Sequence, residues 1–334
     1  MLNIFNRKPK ESSLPIFDEA FLRRLERLNF RTIPSLRGTK IGERRSRNLR
    51  PALDFSDHRP YTAGDDLRHV DWNAFARQEA LFVKLGEATQ SINLHILLDR
   101  SRSMSWAASP GAKSNKWDAA RRLAGAFGYL GLAGGERVRL TSFVQTLDES
   151  FGPTEGKRQV IPALTYLAGL APPAALAKGS EAEAGGLRRS LTAYAHNHPG
   201  GGLLVIVSDL FDTVDPAFDP SSALAEAGGR WLAEGLRHLT PPRWQVLVVH
   251  LLTEEEIRPT LEGDLDLQDA ETRESLPFHL DEQTLAQYRL RVRRWCANLQ
   301  SICAQRGATY ARILAEWPLE KAVVPYLRQR GVIQ

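Results

Sequence analysis

From Trp72 onward, the chain alternates short apolar runs with longer segments of helical periodicity. Apolar runs of strand length are typical of strands in a parallel sheet, because helices cover both faces of such a sheet. The alternation therefore predicts an α/β fold with a mostly parallel sheet flanked by helices. The predicted strands span residues 92–98, 138–143, 203–207, 244–252 and 309–314. The predicted helices span residues 116–132, 158–170, 183–194, 222–239, 281–305 and 319–329.

Three segments predict additions to this sheet domain. We expect a further strand at residues 81–85 beside the first strand, and an antiparallel partner of the second strand at residues 146–151. Residues 254–280 interrupt the alternation and contain the turn formers Gly263 and Asp264, which predict an inserted hairpin.

The first 80 residues predict a separate N-terminal part. Apolar residues at helical spacing predict an amphipathic helix over residues 18–29. The basic run at residues 37–50, with the proline- and glycine-containing stretch after it, predicts irregular structure that wraps over the following domain. We therefore divide the chain into residues 1–80 and an α/β domain at residues 81–334.

The first apolar strand ends directly in an Asp-x-Ser-x-Ser loop formed by Asp99, Ser101 and Ser103. In open α/β sheets, ligands bind beyond the carboxyl ends of the strands. A carboxylate and two hydroxyls at alternate positions can point three oxygens the same way, which suits a hard cation such as Mg²⁺ or Mn²⁺. The loop is therefore a candidate metal site.

Two later positions strengthen this interpretation. The third predicted strand is followed by Asp209, a second acid at the carboxyl end of a second apolar strand. Between the two acids, Ser180 precedes a helix and offers another hydroxyl from a third loop. The alternative is that Asp99 and Asp209 only cap the helices or turns that follow them.

A longer set of strings resembles a known bacterial family. It comprises Tyr61-Thr62-Ala63-Gly64-Asp65-Asp66-Leu67-Arg68-His69-Val70-Asp71-Trp72, Ala76-Arg77, Phe82-Val83-Lys84 and Leu97-Leu98-Asp99. On these residues the chain resembles the family named "domain of unknown function 58". Its serine-containing loop resembles the metal-ion-dependent adhesion site of von Willebrand factor A domains.

The resemblance implies a von Willebrand factor A-like (Rossmann-like) fold, with Asp99, Ser101, Ser103 and Asp209 at metal-site positions. The third-loop position, usually threonine in adhesion sites, would be Ser180. Two threonines compete for that role, Thr141 and Thr192. The resemblance also implies a partner, a MoxR-type AAA+ ATPase, for which the chain would be an adaptor or co-chaperone in complex assembly or stress response.

Charge, cysteine content and hydropathy limit which functions and cellular locations fit the sequence. Lysine and arginine number 44 against 39 acidic residues, which gives a mild net charge of +5, and the basic run has no interleaved aromatics, so no nucleic-acid role is expected. Cys296 and Cys303 lie seven residues apart in a predicted helix, too far apart for a disulfide. With no signal peptide and no apolar stretch of membrane length, we expect a cytoplasmic protein without a membrane span.

The leading hypothesis is a binding module and not an enzyme. A divalent cation, Mg²⁺ or Mn²⁺ with Ca²⁺ as an option, would bridge the loop to a carboxylate of a partner protein, and a client protein is a further partner to consider. A metal-dependent hydrolase is the rival class, with Glu181 or Asp212 as general base, and a metal-free scaffold is the third. Residues 61–72 are expected to form a structural clasp or docking surface, with Tyr61 and Trp72 as anchors.

Overall fold

The computed structural model describes most of the α/β region and a smaller part of the N-terminal region. The described residues are 17, 23, 50–51, 57–62, 70–86, 92–105, 115–173, 186–211, 224–259, 263–268, 275–319 and 324–329. The chain forms two compact units, one of residues 40–91 and one of residues 1–39 with 92–334. Of the predicted helix at residues 18–29, only Arg23 is described, in helical conformation.

The smaller unit contains an antiparallel sheet and a short helix. Its elements are β1 (Arg50–Pro51), β2 (Asp57–Pro60), α1 (Trp72–Gln78) and β3 (Phe82–Gly86), and β3 pairs with both other strands. Asp71 begins α1 because its carboxylate accepts from the N–H groups of Asn73 and Ala74. Trp72 is 57% exposed, so the expected anchoring role of this tryptophan is wrong: it lies in the first, outward-facing turn of α1.

The larger unit contains a six-stranded sheet. Its strands are β4 (Asn93–Asp99), β5 (Arg137–Phe143), β6 (Phe151–Thr154), β7 (Gly202–Ser208), β8 (Trp244–Leu252) and β11 (Thr309–Leu314). They lie in the order β11-β8-β7-β4-β5-β6, and all pairs are parallel except β5 with β6. The five predicted central strands are confirmed to within one residue at each end.

Two strand predictions need correction. The strand expected at residues 81–85 is β3, which pairs in the smaller sheet because both edges of β4 are taken by β5 and β7. The antiparallel partner of β5 is Phe151–Thr154, later than expected. The intervening residues form a turn held by Asp148, whose N–H donates to the carbonyl of Ser142 and whose carboxylate accepts from its hydroxyl.

Helices cover both faces of the larger sheet. They are α2 (Lys116–Ala133), α3 (Val160–Gly169), α4 (Gly186–Asn197), α5 (Leu224–Gly235), α6 (Glu254–Ile257), α7 (Glu282–Gln305) and α8 (Val324–Gln329). Leu94, Ile96 and Leu98 of β4 pack in a core with α2, α3 and α8, whereas Leu97 packs in a second core with α4, α5 and α7. Alternate side chains of this strand thus enter two cores, which explains why four of the five residues from Leu94 to Leu98 are apolar, the fifth being the buried His95.

Helix α2 lies very close to the sheet. A Cβ atom at Gly131 would come within 2.5 Å of a Leu94 side-chain atom and 2.6 Å of a Val138 side-chain atom. The helix begins at Asn115, whose side chain accepts from the N–H of Asp118. Lys116, the first residue of α2, lies at the carboxyl edge of the sheet, where its Nζ contacts the carboxylate of Asp209 just after β7.

The predicted insertion is confirmed as a hairpin. Strands β9 (Gly263–Gln268) and β10 (Ser275–Leu280) pair antiparallel, and the short helix α6 precedes them. Both cysteines of α7 are buried and free, as expected. Among the helices that the structure describes, none is long and apolar enough to cross a membrane.

Candidate metal centre

The site lies where the strand order reverses. From β4 the chain moves outward to β5 and β6, then returns to β7 on the other side of β4. Connections diverge at such a point and leave a crevice beyond the carboxyl ends of the two central strands. Leu98 pairs with Val207, so Asp99 and Ser208 follow side by side, with Asp209 next along the chain.

Asp99 is held by hydroxyl and amide donors from two strand ends. It is 4% exposed. Its Oδ1 accepts from the N–H of Ser101 at 2.8 Å, and its Oδ2 accepts from the Oγ of Ser208 at 2.5 Å. The Oγ atoms of Ser101 and Ser103 are 3.0 Å apart, and the buried Met104 anchors the short 3₁₀ turn that carries Ser103. The loop therefore brings one carboxylate and two hydroxyls together.

The charge of Asp99 is poorly compensated. Burial and the neighbouring Asp209 raise the pKa of Asp99 to about 7, although hydrogen bonds from Ser208 and Ser101 act in the opposite direction. No ion pair joins Asp99 to a lysine or arginine of the described residues. Arg100, the next residue, is committed to Asp148 through two contacts of 3.0 Å. A cation at this point would favour the charged form of Asp99.

Asp209 is compensated by a lysine of α2. The Nζ of Lys116 donates to Asp209 Oδ2 at 2.7 Å and to Glu256 Oε1 at 2.6 Å. Burial alone would lower the pKa of Lys116, but the two carboxylates raise it above its ordinary value. The remaining oxygen of Asp209 accepts from the N–H of Phe211 at 3.2 Å.

The residues present fit a divalent cation. The ammonium group of Lys116 pairs with two carboxylates, those of Asp209 and Glu256, and Asp99 pairs with no lysine or arginine of the described residues. Three carboxylates thus lie near one ammonium group, an excess of acidic groups that a divalent cation would balance. The oxygen donors beside Asp99 are hard ligands of the kind that Mg²⁺ and Mn²⁺ prefer.

The sequence-predicted residues are placed as follows. Asp99, Ser101, Ser103 and Asp209 lie at the same edge of the sheet. Ser180 lies outside the described residues, as do Glu181 and Asp212, the general bases of the hydrolase hypothesis.

The two competing threonines are engaged elsewhere. The Thr141 hydroxyl lies 2.7 Å from the Oγ of Ser150, and the Thr192 hydroxyl donates to the carbonyl of Arg188 at 2.8 Å on the exposed face of α4. Neither contact joins the Asp99 loop, so the third-loop ligand stays assigned to Ser180 as a prediction.

Capping explains only one oxygen of each acid. Asp99 Oδ1 and Asp209 Oδ1 each accept from the N–H two residues further along. The other oxygen of Asp99 faces the Ser208 hydroxyl, and the other oxygen of Asp209 faces the Lys116 ammonium. Contacts between distant segments are not needed for a cap, so the acids do more than terminate local turns.

Sequence reasoning missed three residues of this cluster. Ser208 was visible as the neighbour of Asp209, but its bond to Asp99 depends on the pairing of β4 with β7. Glu256 could have been found as the last residue of a capping box that starts at Thr253. Nothing in the sequence signals that Lys116, at the start of an amphipathic helix, is fully buried.

Metal ligation here would depend on serine hydroxyls. Within the ranges that the structure describes, no group of three or more histidine, cysteine, aspartate or glutamate side chains is arranged to hold a metal ion. A cation bound by Asp99 would therefore be shared with Ser101 and Ser103 rather than with further acids or histidines of the described residues.

The fold and the site define an α/β protein with a mainly parallel sheet and two buried acids at its switch point. The family model described as "Protein of unknown function DUF58" matches residues 57–297, more than half of the chain. The chain belongs to this family, which confirms the resemblance drawn from the Tyr61–Trp72 string. None of the curated proteins matches the sequence.

Three solved structures show weaker similarity. The conserved hypothetical protein BatB from Bacteroides thetaiotaomicron is 12% identical with a TM-score of 0.36, covering 72% of this chain and 99% of its own. An aerotolerance-related membrane protein from Bacteroides fragilis is 17% identical with a TM-score of 0.38, covering 72% and 100%. An uncharacterized membrane spanning protein from Vibrio fischeri is 13% identical with a TM-score of 0.23, covering 72% and 98%.

Proposed function

We propose that this chain is a von Willebrand factor A-like module that binds a protein partner through a divalent cation at the Asp99 loop. The observation that carries the proposal is the buried Asp99 carboxylate, whose pKa rises to about 7 beside Asp209 and which forms no ion pair among the described residues. Such a carboxylate gains most from an added cation, because a buried uncompensated charge is costly.

Each residue has a distinct part in this proposal. Asp99, Ser101 and Ser103 would hold the cation, and Ser180 is the expected third-loop ligand. Asp209 would be the second acid of the site, at the same edge of the sheet, where its oxygens accept from Lys116 and from the N–H of Phe211. When bound, Mg²⁺ or Mn²⁺ would supply a positive centre that a partner's carboxylate can approach.

An exposed aromatic side chain beside Asp209 supports a protein partner. Phe211 is 46% exposed, and its ring stacks on Trp295 with centroids 4.8 Å apart. Rigid, preorganised aromatic rings at a surface are typical anchors of protein interfaces. A small substrate would gain little from a ring that faces outward.

The resemblance to the family suggests which partner to test. We propose that the chain is an adaptor or co-chaperone of a MoxR-type AAA+ ATPase in complex assembly or stress response, acting in the cytoplasm on a client protein. This identification depends on the family resemblance, whereas the cation bridge depends on the contacts around Asp99.

Calorimetric titration tests cation binding. We expect the wild-type chain to bind Mn²⁺ and the Asp99→Asn variant to bind it at least tenfold more weakly, because one ligand charge is lost. Asp264→Asn, at an exposed aspartate of the hairpin, is the matched control and should bind as the wild type does. Equal Mn²⁺ binding by wild type and Asp99→Asn would overturn the site.

A pull-down tests the bridge. An AAA+ ATPase encoded beside this chain should be retained with Mn²⁺ and released by EDTA, and Phe211→Ala should weaken its retention without changing Mn²⁺ affinity. Retention that is unchanged in EDTA would contradict a cation bridge. Hydrolysis of phosphate esters that is lost in Asp99→Asn would instead identify the rival, a metal-dependent hydrolase.

A further inference from the structure

A cleft of about 570 Å³ opens near the carboxyl ends of β8 and β11. Helix α6, which follows β8, forms one wall with Ile257. Helix α7 and the edge strand β11 form the others, with Arg293 and Arg312 among their lining residues. None of the residues assigned to the candidate metal centre lines it.

The cleft is positively charged. Its lining includes three arginines, Arg258, Arg293 and Arg312, but one acid, Glu254. Arg258 lies 3.5 Å from Glu254, whereas no described carboxylate forms an ion pair with Arg293 or Arg312. Both of these guanidinium groups belong to exposed residues, so they are available to an anion from outside.

The same cleft has apolar surface between its charges. Trp317 and Tyr326 meet edge to face with ring centroids 5.6 Å apart, and Leu314 lies at the end of β11 beside them. The N–H of Arg312 donates to the Tyr326 hydroxyl at 3.3 Å. Since this N–H of the edge strand is engaged, a ligand here would contact side chains rather than extend the sheet.

We propose that this cleft binds an acidic polypeptide segment in which an apolar side chain lies between carboxylates. Guanidinium groups pair with carboxylates through two parallel hydrogen bonds, and the aromatic wall would receive the apolar side chain. A cleft open to solvent with exposed arginines suits a polypeptide better than a small molecule, which is usually enclosed by its pocket.

The cleft shares a helix with the candidate metal centre but needs no cation. Glu256 of α6 pairs with Lys116, the counter-ion of Asp209, while Glu254, Ile257 and Arg258 from the same turn of chain line the cleft. An acidic segment in the cleft would therefore lie on the partner-binding edge of the sheet. Binding of an acidic segment in the cleft goes beyond the cation bridge and does not require a cation at Asp99.

Fluorescence anisotropy with the full chain tests the proposal. The probe is a dye-labelled peptide of glutamates with one central leucine, and the control peptide carries glutamine in place of glutamate. We expect the glutamate peptide to bind in EDTA, to weaken as salt is raised, and to bind about tenfold more weakly to an Arg293→Gln/Arg312→Gln double variant. Asp99→Asn should leave this binding unchanged.

The matched control is Arg291→Gln, which removes an exposed arginine of α7 that does not line the cleft. Circular dichroism confirms that each variant is folded. Failure of the glutamate peptide to bind, equal binding of the glutamine peptide, or equal loss in the Arg291→Gln control would overturn the proposal. Displacement of the peptide by ADP at lower concentration than by free peptide would assign the cleft to a small phosphorylated ligand instead.

Discussion

Lys116 Nζ lies 2.7 Å from Asp209 Oδ2, and both side chains are fully buried. The same ammonium group reaches Glu256 at 2.6 Å. The first residue of α2 is thereby tied to the end of β7 and to α6, the three elements that surround the crevice. The ion pair holds the Asp209 carboxylate in place at the end of β7, next to Asp99.

Removal of Lys116 should strongly destabilise the protein. In Lys116→Met, Asp209 would be left buried without its counter-ion, which typically costs about 3–5 kcal/mol. We expect the free energy of unfolding, measured by urea titration, to fall by that amount.

A surface ion pair provides the comparison. Arg230 lies 3.1 Å from Glu234, but both residues are exposed, so Arg230→Met should change the free energy of unfolding by less than about 1 kcal/mol. Replacing Asp209 as well, in Lys116→Met/Asp209→Asn, should recover part of the loss. A single Lys116→Met variant as stable as Arg230→Met would contradict the buried pair.

Ser208 should matter for cation affinity although it is not an expected ligand. Its hydroxyl donates to Asp99 Oδ2 at 2.5 Å and accepts from the N–H of Leu210 at 2.8 Å. Ser208→Ala frees Asp99 to rotate away from Ser101 and Ser103. We expect Mn²⁺ affinity to fall about 10–100-fold, the usual effect of losing a group that orients a ligand.

Ser190 offers a matched control for this variant. It is also a fully buried serine, but it lies on α4 and its hydroxyl has no hydrogen-bond partner among the described residues. Ser190→Ala should therefore leave Mn²⁺ affinity unchanged in the same calorimetric titration. If Ser208→Ala binds Mn²⁺ as tightly as Ser190→Ala does, Ser208 does not orient Asp99.

The raised pKa of Asp99 predicts how the free energy of unfolding of the metal-free protein depends on pH. The pKa of Asp99 is about 7 in the folded state and 3.8, the ordinary value of an aspartate, in the unfolded state, so between these values the folded state binds more protons. The free energy of unfolding should therefore fall as pH rises from about 4 to about 7, on the order of 4 kcal/mol from this group. Because the buried histidines act in the opposite direction over this range, the test is a difference: in urea titrations in EDTA, the free energy of unfolding of wild type should fall relative to that of Asp99→Asn as pH rises. If the free energy of unfolding changes with pH equally in wild type and Asp99→Asn, the pKa of Asp99 is not raised in the folded state.

The central strands were predictable because burial on both faces leaves a local trace. Four of the five residues from Leu94 to Leu98 are apolar because alternate side chains enter two cores, and this pattern, which only His95 interrupts, is visible without a structure. The local sequence pattern does not show which strands pair with each other. Residues 82–86 form a strand by their composition, but their partners depend on which edges are free, and β4 had none.

The two acids of the site could be predicted from the sequence, but their long-range contacts could not. Asp99 and Asp209 follow apolar runs, and parallel strands place such residues at one edge. The contacts that orient and balance them are long-range: Ser208 lies 109 residues from Asp99, and Lys116 lies 93 residues from Asp209. Pairings over such separations depend on helix position, which local pattern does not specify.

A buried histidine should make the protein lose stability in acid. The Nδ1 of His95 shares a hydrogen bond of 2.9 Å with the hydroxyl of Tyr194, and its Nε2 has no partner among the described residues. Burial, with a smaller effect of His198, lowers the pKa of His95 from 6.5 to about 4. Between these values the unfolded state binds more protons, so His95 should lower the free energy of unfolding by about 3 kcal/mol as pH drops from 6.5 to 4. The buried His250, whose pKa burial lowers to about 3, acts in the same direction, so His95→Gln should reduce the loss of stability in acid by about that amount without abolishing it. His196→Gln, at an exposed position of α4, should leave the loss unchanged, and an acid dependence of His95→Gln equal to that of wild type would contradict the prediction.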